Sequence, residues 1–193
     1  MVLAHRFYAN ASVEVFPYVE IGAACIFLAT KITEKPRKLR DVMNVAYCVS
    51  NNTNTPVPTG VEYSTLKENL LDAEQTVLRM IRFDMNVALP YQYLLNYTKI
   101  LGCPRLVVRM ALTLTSDLYY MPSALQYPSH VIAASCIVLA IELLEINEPA
   151  APPRWWYHFD TSDDDIAAIR HDFVQLYTVM PPSNPSSTGP QES

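Results

Sequence analysis

The chain has 193 residues, half of them apolar, with 14 Lys and Arg against 19 Asp and Glu, a formal charge of −5 and a pI near 5.3. That length suits one compact unit or two small ones with a substantial core, and the acidic balance argues against a nucleic-acid partner held by its phosphates, because such binding depends on Lys and Arg neutralising the backbone. Cys25, Cys48, Cys103 and Cys136 are widely spaced with no C-x-x-C, so no zinc ligand set is expected, and buried free thiols in a reducing compartment are.

From the N-terminus, Met1–Asn10 is helical in pattern but has no cap and no preceding turn, so the chain is read as starting inside its first bundle. Phe16–Glu34, FPYVEIGAACIFLATKITE, is the organising stretch. It is free of charge from Ile21 to Thr30. Small residues (Gly22, Ala23, Ala24, Ala29) alternate with large ones (Ile21, Ile26, Phe27, Leu28, Ile32), which puts apolar atoms all round the cylinder and predicts a central helix with neighbours on every side. Pro17 suits the first helical position, where no N–H is needed. The apolar run is too short to cross a bilayer, and MVLAHRFYAN carries His5 and Arg6 where a signal peptide needs its apolar segment. A soluble intracellular protein is expected.

Glu34–Arg40 is a basic turn around Pro36, whose Lys35, Arg37, Lys38 and Arg40 read as a solvated helix start. A helix follows from Leu39 to about Val49, and Ser50–Gly60 is loop. Glu62–Arg82 is the clearest amphipathic helix, with Leu66, Leu70, Ala73, Val77 and Ile81 on one face. Glu74 lies on the border of that stripe, where a partly desolvated carboxylate wants a donor. Asp84–Leu89 is a hinge, and helices are expected at Pro90–Leu101 and Pro104–Tyr120.

Tyr127–Glu145, YPSHVIAASCIVLAIELLE, repeats the organising stretch without a gap: Pro17 falls on Pro128, Ile21 on Ile132, Cys25 on Cys136 and Leu28 on Leu139. Upstream, Leu3 falls on Leu114 and Tyr8 on Tyr119. This internal repeat predicts two similar bundles, each around one central helix. Ile146–Pro153 is a Pro-broken loop, and Arg154–Phe159, RWWYHF, reads as an aromatic plug on the end of a bundle. Thr161–Thr178 is a last helix, with Ser162 and Asp165 at capping-box spacing. Pro181–Ser193 has the composition of a disordered tail. No strand is expected, so the fold class is all-α. His5, His130, His158 and His171 are scattered, with no nucleophile and base in a local motif and no Gly-rich phosphate loop. Neither an enzyme nor a cofactor or metal site is expected.

HRFY at His5–Tyr8, the run ending at Lys31–Glu34, RDVMNV at Arg40–Val45 and AEQTVLRMIRF around Glu74 and Phe83 together resemble the cyclin box. The second half is similar to the second cyclin box of transcription-type cyclins, and the RDVMNV and RWWYHF segments resemble the cyclin Q (cyclin M) branch. The resemblance implies the cyclin fold as tandem boxes at residues 1–86 and 87–180, the first lacking its initial helix and so leaving apolar side chains of its central helix exposed, with a tail at 181–193. It further implies a heterodimer with a cyclin-dependent kinase, of the cyclin-dependent kinase 10 type, with no direct nucleic-acid or membrane partner, in nucleus or cytoplasm. The kinase-binding residues it implies are Lys31 and Glu74, which match the family's lysine and glutamate at the kinase backbone, and Leu78 and Phe83, which match apolar positions packing on the kinase αC helix. Thr33 departs from the family's K-x-E-E pattern, and His5 stands where many cell-cycle cyclins place an Asp. The alternative reading is a cyclin-fold scaffold in transcription that activates no kinase.

Overall fold

The computed structural model describes residues 1–146 and 152–179, and among these the regular structure is entirely helical. The α-helices are α1 (Val2–Tyr8), α2 (Tyr18–Ile32), α3 (Leu39–Asn51), α4 (Val61–Met80), α5 (Tyr91–Ile100), α6 (Arg105–Leu118), α7 (Ser129–Leu143) and α8 (Asp163–Val179), with short 3₁₀ helices at Pro122–Gln126 and Trp155–Phe159. The expected tail at 181–193 and most of the loop Ile146–Pro153 lie outside the described residues. No helix among the described residues is long and apolar enough to cross a membrane. Pro17 sits one residue ahead of α2, at φ −58° and ψ 131°, and its carbonyl accepts from the Ile21 N–H at 3.2 Å.

The chain divides into two compact units, Met1–Val87 and a second beginning at Ala88. In the first, α2 packs on α1, α3 and α4. Phe7, Ala24, Leu28, Met43, Leu70 and Val77 meet in one core, and each large side chain fully buried there contributes about 1.5–3 kcal/mol. In the second, α7 packs on α5, α6, α8 and the Trp155–Phe159 turn. In the register of the repeat Tyr18 falls on Ser129 and Ile32 on Leu143, so the two central helices begin and end at matching positions.

Their surroundings differ. Every residue of α7 from Val131 to Ile141 is buried, as a helix apolar on all sides requires. In α2 Tyr18 is exposed and Ile26 is 61% exposed, whereas Ile137, which occupies the place of Ile26, is fully buried. The expectation of neighbours on every side therefore holds for α7 and fails for one face of α2. There the described residues supply no helix in the position that α5 holds against α7. The thiols on the two central helices are both buried, and loss of hydration pushes Cys25 up to about 11 and Cys136 up to about 12.

The aromatic segment behaves as a plug within the second unit. Trp155 is buried, Phe159 stacks on Tyr97 of α5 at 3.8 Å between ring centroids, and Trp156 Nε1 and Tyr157 OH both donate to Asp163 at 2.8 Å. At the start of α8 the capping box forms: the Ser162 N–H and hydroxyl donate to Asp165 Oδ2 at 2.9 and 2.7 Å, and the Asp165 N–H donates back to Ser162 Oγ at 3.1 Å. Those donors hold the Asp165 carboxyl below the ordinary 3.8. A depressed carboxyl contributes stability above its unfolded value, and that contribution is lost as pH falls through the folded value. Ser162→Ala is accordingly expected to cost about 1 kcal/mol at neutral pH. In urea unfolding followed by circular dichroism, its difference from the parent should shrink as pH is taken below 3.8.

Candidate functional site

The charge-free stretch of α2 ends at Lys31, and the packing of α2 on α4 brings that ammonium to Glu74. Lys31 Nζ lies 2.7 Å from Glu74 Oε1 and 2.9 Å from Oε2. The two ends of the pair differ: the Glu74 side chain is 9% exposed and that of Lys31 46%. Glu74 sits beside Ala73 and Val77 on the buried side of α4, and a carboxylate taken from water there needs a charged donor. The same ammonium stands 4.2 Å from the centroid of the Phe27 ring, a favourable cation–π placement. Of its three N–H groups, two serve the carboxylate and one is left for another acceptor. Thr33, in place of a family acid, donates its hydroxyl to the Ala29 carbonyl at 2.9 Å and helps close the helix.

Leu78 follows Glu74 by one turn of α4 and is half-buried against the core. Phe83 lies past the end of the helix. Its N–H returns to the Leu78 carbonyl at 2.9 Å, and both Arg82 and Phe83 adopt left-handed backbone, at φ 53° and 57°. For residues with large side chains that conformation costs about 1–3 kcal/mol each and persists only where surrounding contacts impose it. Arg6 supplies such contacts. Its guanidinium donates to the carbonyls of Asp84 and Asn86, each at 3.0 Å, and approaches Asp84 Oδ2 at 3.4 Å. The strap leaves Phe83 62% exposed.

Lys31 and Glu74 are thus in direct contact, Leu78 continues their helix and Phe83 extends beyond it. Arg6 was not among the expected site residues. Its signal is a cation on the short apolar α1, inside HRFY, with a target 78 residues away in sequence. The second unit carries a related pair with the charges exchanged: Lys31 falls on Glu142 in the repeat, and both Glu142 carboxylate oxygens accept from Arg170 Nη2 at 2.7 Å. That pair is about half exposed on both sides, so its acid is not desolvated as Glu74 is. Among the described residues no group of three or more His, Cys, Asp or Glu could hold a metal ion.

The asymmetry of the Lys31–Glu74 pair fixes the ranking of its variants. Lys31→Ala strands a buried carboxylate and should cost about 1–3 kcal/mol, whereas Glu74→Gln leaves an acceptor facing a half-exposed ammonium and should cost less. Urea denaturation of the two variants checks the order. Arg6→Ala should speed amide hydrogen exchange at residues 83–86 ahead of the rest of the unit.

Comparison with known proteins gives a consistent picture. Residues 1–86 match the family model described as the cyclin N-terminal domain. Human cyclin-K is 34% identical over 189 residues, covering 92% of this chain and 32% of that protein, and human cyclin-L1 is 31% identical over 188 residues, covering 94% and 36%. The chain therefore spans about a third of the length of these curated relatives. A chain in the crystal structure of the yeast RNA Pol II CTD kinase CTDK-1 complex superposes with a TM-score of 0.73 at 19% identity, covering 91% of this chain and 56% of that one, a likeness of fold. By the matched N-terminal domain, the relatives spanning nearly all of the chain and the shared helical architecture, it belongs to the cyclin family, beside the transcription-type cyclins.

Proposed function

We propose that the chain is a regulatory subunit that docks on the αC helix of a cyclin-dependent kinase and activates it, with Lys31, Glu74, Leu78 and Phe83 forming the docking face. The observation that carries this reading is the arrangement at the end of α4: a buried acid holds a half-exposed lysine with an N–H to spare, and an aromatic ring is held outward past the same helix. Such a lysine can meet a main-chain carbonyl of the segment that leads into the start of a partner helix, where the backbone is not yet committed to intrahelical bonds. The exposed ring and the outer side of Leu78 supply apolar contact. Recognition of main chain is indifferent to the partner's side chains, so the apolar surround selects the partner.

A kinase works only with its β3 Lys to αC Glu ion pair formed, and a rigid surface against αC holds that pair in place. Moving such an equilibrium from mostly inactive to mostly active takes about 5.5 kcal/mol of differential affinity, which favours a preformed face over one that orders on binding. The Arg6 strap fits that need. We read the second unit as a second cyclin box, supported by the matching limits of α2 and α7. A partner of the cyclin-dependent kinase 10 type is supported by the cyclin Q likeness of RDVMNV and RWWYHF, and action in the transcription apparatus of the nucleus by the kinship with cyclins K and L. On this reading catalysis belongs to the kinase and this chain acts by docking.

The test is co-purification and substrate phosphorylation with cyclin-dependent kinase 10. Phe83→Asp, at an exposed site, should weaken binding at least tenfold, a loss of about 1.4 kcal/mol or more, with helical circular dichroism unchanged. Lys31→Ala combined with Glu74→Ala, which removes both charges together, should do the same. Undiminished binding by both variants would overturn the docking face, and binding without activation would favour the scaffold reading.

A further inference from the structure

The loop between α3 and α4 contains Thr55-Pro56, the one place in the 193 residues where a serine or threonine precedes a proline. Pro58 follows, so the run reads Thr-Pro-Val-Pro. A residue ahead of proline is biased to extended or polyproline backbone. Both Thr55 and Val57 are therefore pre-shaped for an extended groove without help from the rest of the fold.

No residue from Asn52 to Gly60 is helical, and Thr55 and Pro56 are exposed. The Thr55 hydroxyl donates to Thr53 Oγ1 at 3.4 Å, a long bond to another loop hydroxyl. Three contacts hold the loop to the unit behind it. Val57 is 6% exposed and belongs to the core, its N–H donates to Asn44 Oδ1 at 3.3 Å, and the Thr55 carbonyl accepts from Cys48 Sγ at 3.3 Å. Because proline has no N–H, Val57 supplies the one backbone donor between Thr55 and Thr59. A segment with so few anchors opens locally while the helices around it stay formed.

Charge decides what a modification at this place does. α3 ends at Asn51 with no basic residue in its last turn. Between Arg40 and Lys67 the sequence has no Lys, Arg or His, whereas Asp41 and Glu62 are present. The Cys48–Thr55 contact sets Thr55 against the carbonyl end of α3, the negative end of its dipole.

We propose that Thr55 is a phosphorylation site for a proline-directed protein kinase, and that the phosphate releases Val57 and frees the α3–α4 loop. A kinase of this class has a +1 pocket without an acceptor for a backbone N–H, which admits proline and rejects other residues. Thr55 Oγ1 attacks the γ-phosphorus of ATP, the bond from that phosphorus to the ADP leaving group breaks as the new O–P bond forms, and the hydroxyl proton passes to the kinase's base. The phosphate brings about −1.5 to −2 charge. The loop offers it no cation, and the closed loop holds it beside the carbonyl end of α3. Repulsion thus acts on the closed loop and is relieved in the open one. Glu74 lies about 20 Å along α4 from its start at Val61, so this site stands apart from the docking face.

The test incubates the full chain with ATP and a purified mitogen-activated protein kinase, a proline-directed enzyme other than the proposed partner. Intact mass should show the gain of one phosphate, and fragmentation should place it on Thr55. Thr55→Ala and Pro56→Ala should each lower incorporation by about tenfold or more with helical circular dichroism unchanged, and Thr55→Ser should retain it. In the phosphorylated chain residues 53–57 should exchange amide hydrogen about three- to fivefold faster, the effect of added charge at a helix end, while α2 and α4 keep their protection. Absence of incorporation, or incorporation undiminished by both Thr55→Ala and Pro56→Ala, overturns the site. Exchange at residues 53–57 that the phosphate leaves unchanged overturns the release of the loop.

Discussion

Each half of the chain is built on a helix with no polar side to give to water, and that constraint governs the rest. A stripe of apolar residues needs one neighbour; an apolar cylinder needs a complete shell. In the second unit α5, α6, α8 and the aromatic turn complete the shell around α7, and eleven consecutive residues disappear from solvent. In the first, α1, α3 and α4 pack on α2, and among the described residues nothing covers the face that bears Ile26. The same sequence pattern thus has two outcomes, decided by what stands next to it.

The site follows from the same constraint. An uncharged rod must end somewhere, and the first charge past its end is forced to the margin of the core. At Lys31 this puts a cation where α4 presents a carboxylate on its buried side. The matching margin in the second unit bears an exchanged pair, Glu142 with Arg170, which stays in contact with water. Desolvation of the acid therefore separates the two pairs. In the first unit the acid is locked and the lysine oriented; in the second both members remain hydrated and contribute little to stability. The strained backbone at Arg82 and Phe83 lies on the same unit, held by Arg6.

Much of this could be read before any coordinates. The repeat located both central helices, period-based limits came within a few residues of the observed ones, and the border position of Glu74 announced a carboxylate in need of a donor. The family likeness, more than periodicity, singled out Leu78 and Phe83. What the sequence did not disclose depends on distance or on backbone handedness. The Arg6 strap joins segments remote in the chain, and no periodicity marks it. Left-handed Arg82 and Phe83 contradict local preference, since neither residue favours that region. The openness of α2 at Gly22 depends on what packs beside the helix among the described residues, which the pattern of the helix itself does not encode.

Cys25 and Cys136 occupy equivalent places on the two central rods, and neither thiol ionises readily while its surroundings are closed. Since alkylating reagents attack the thiolate, each half of the molecule contains a silent chemical clock that starts only when that half opens. Timing them against each other would reveal whether the half with the incomplete shell breathes more often than its fully enclosed counterpart.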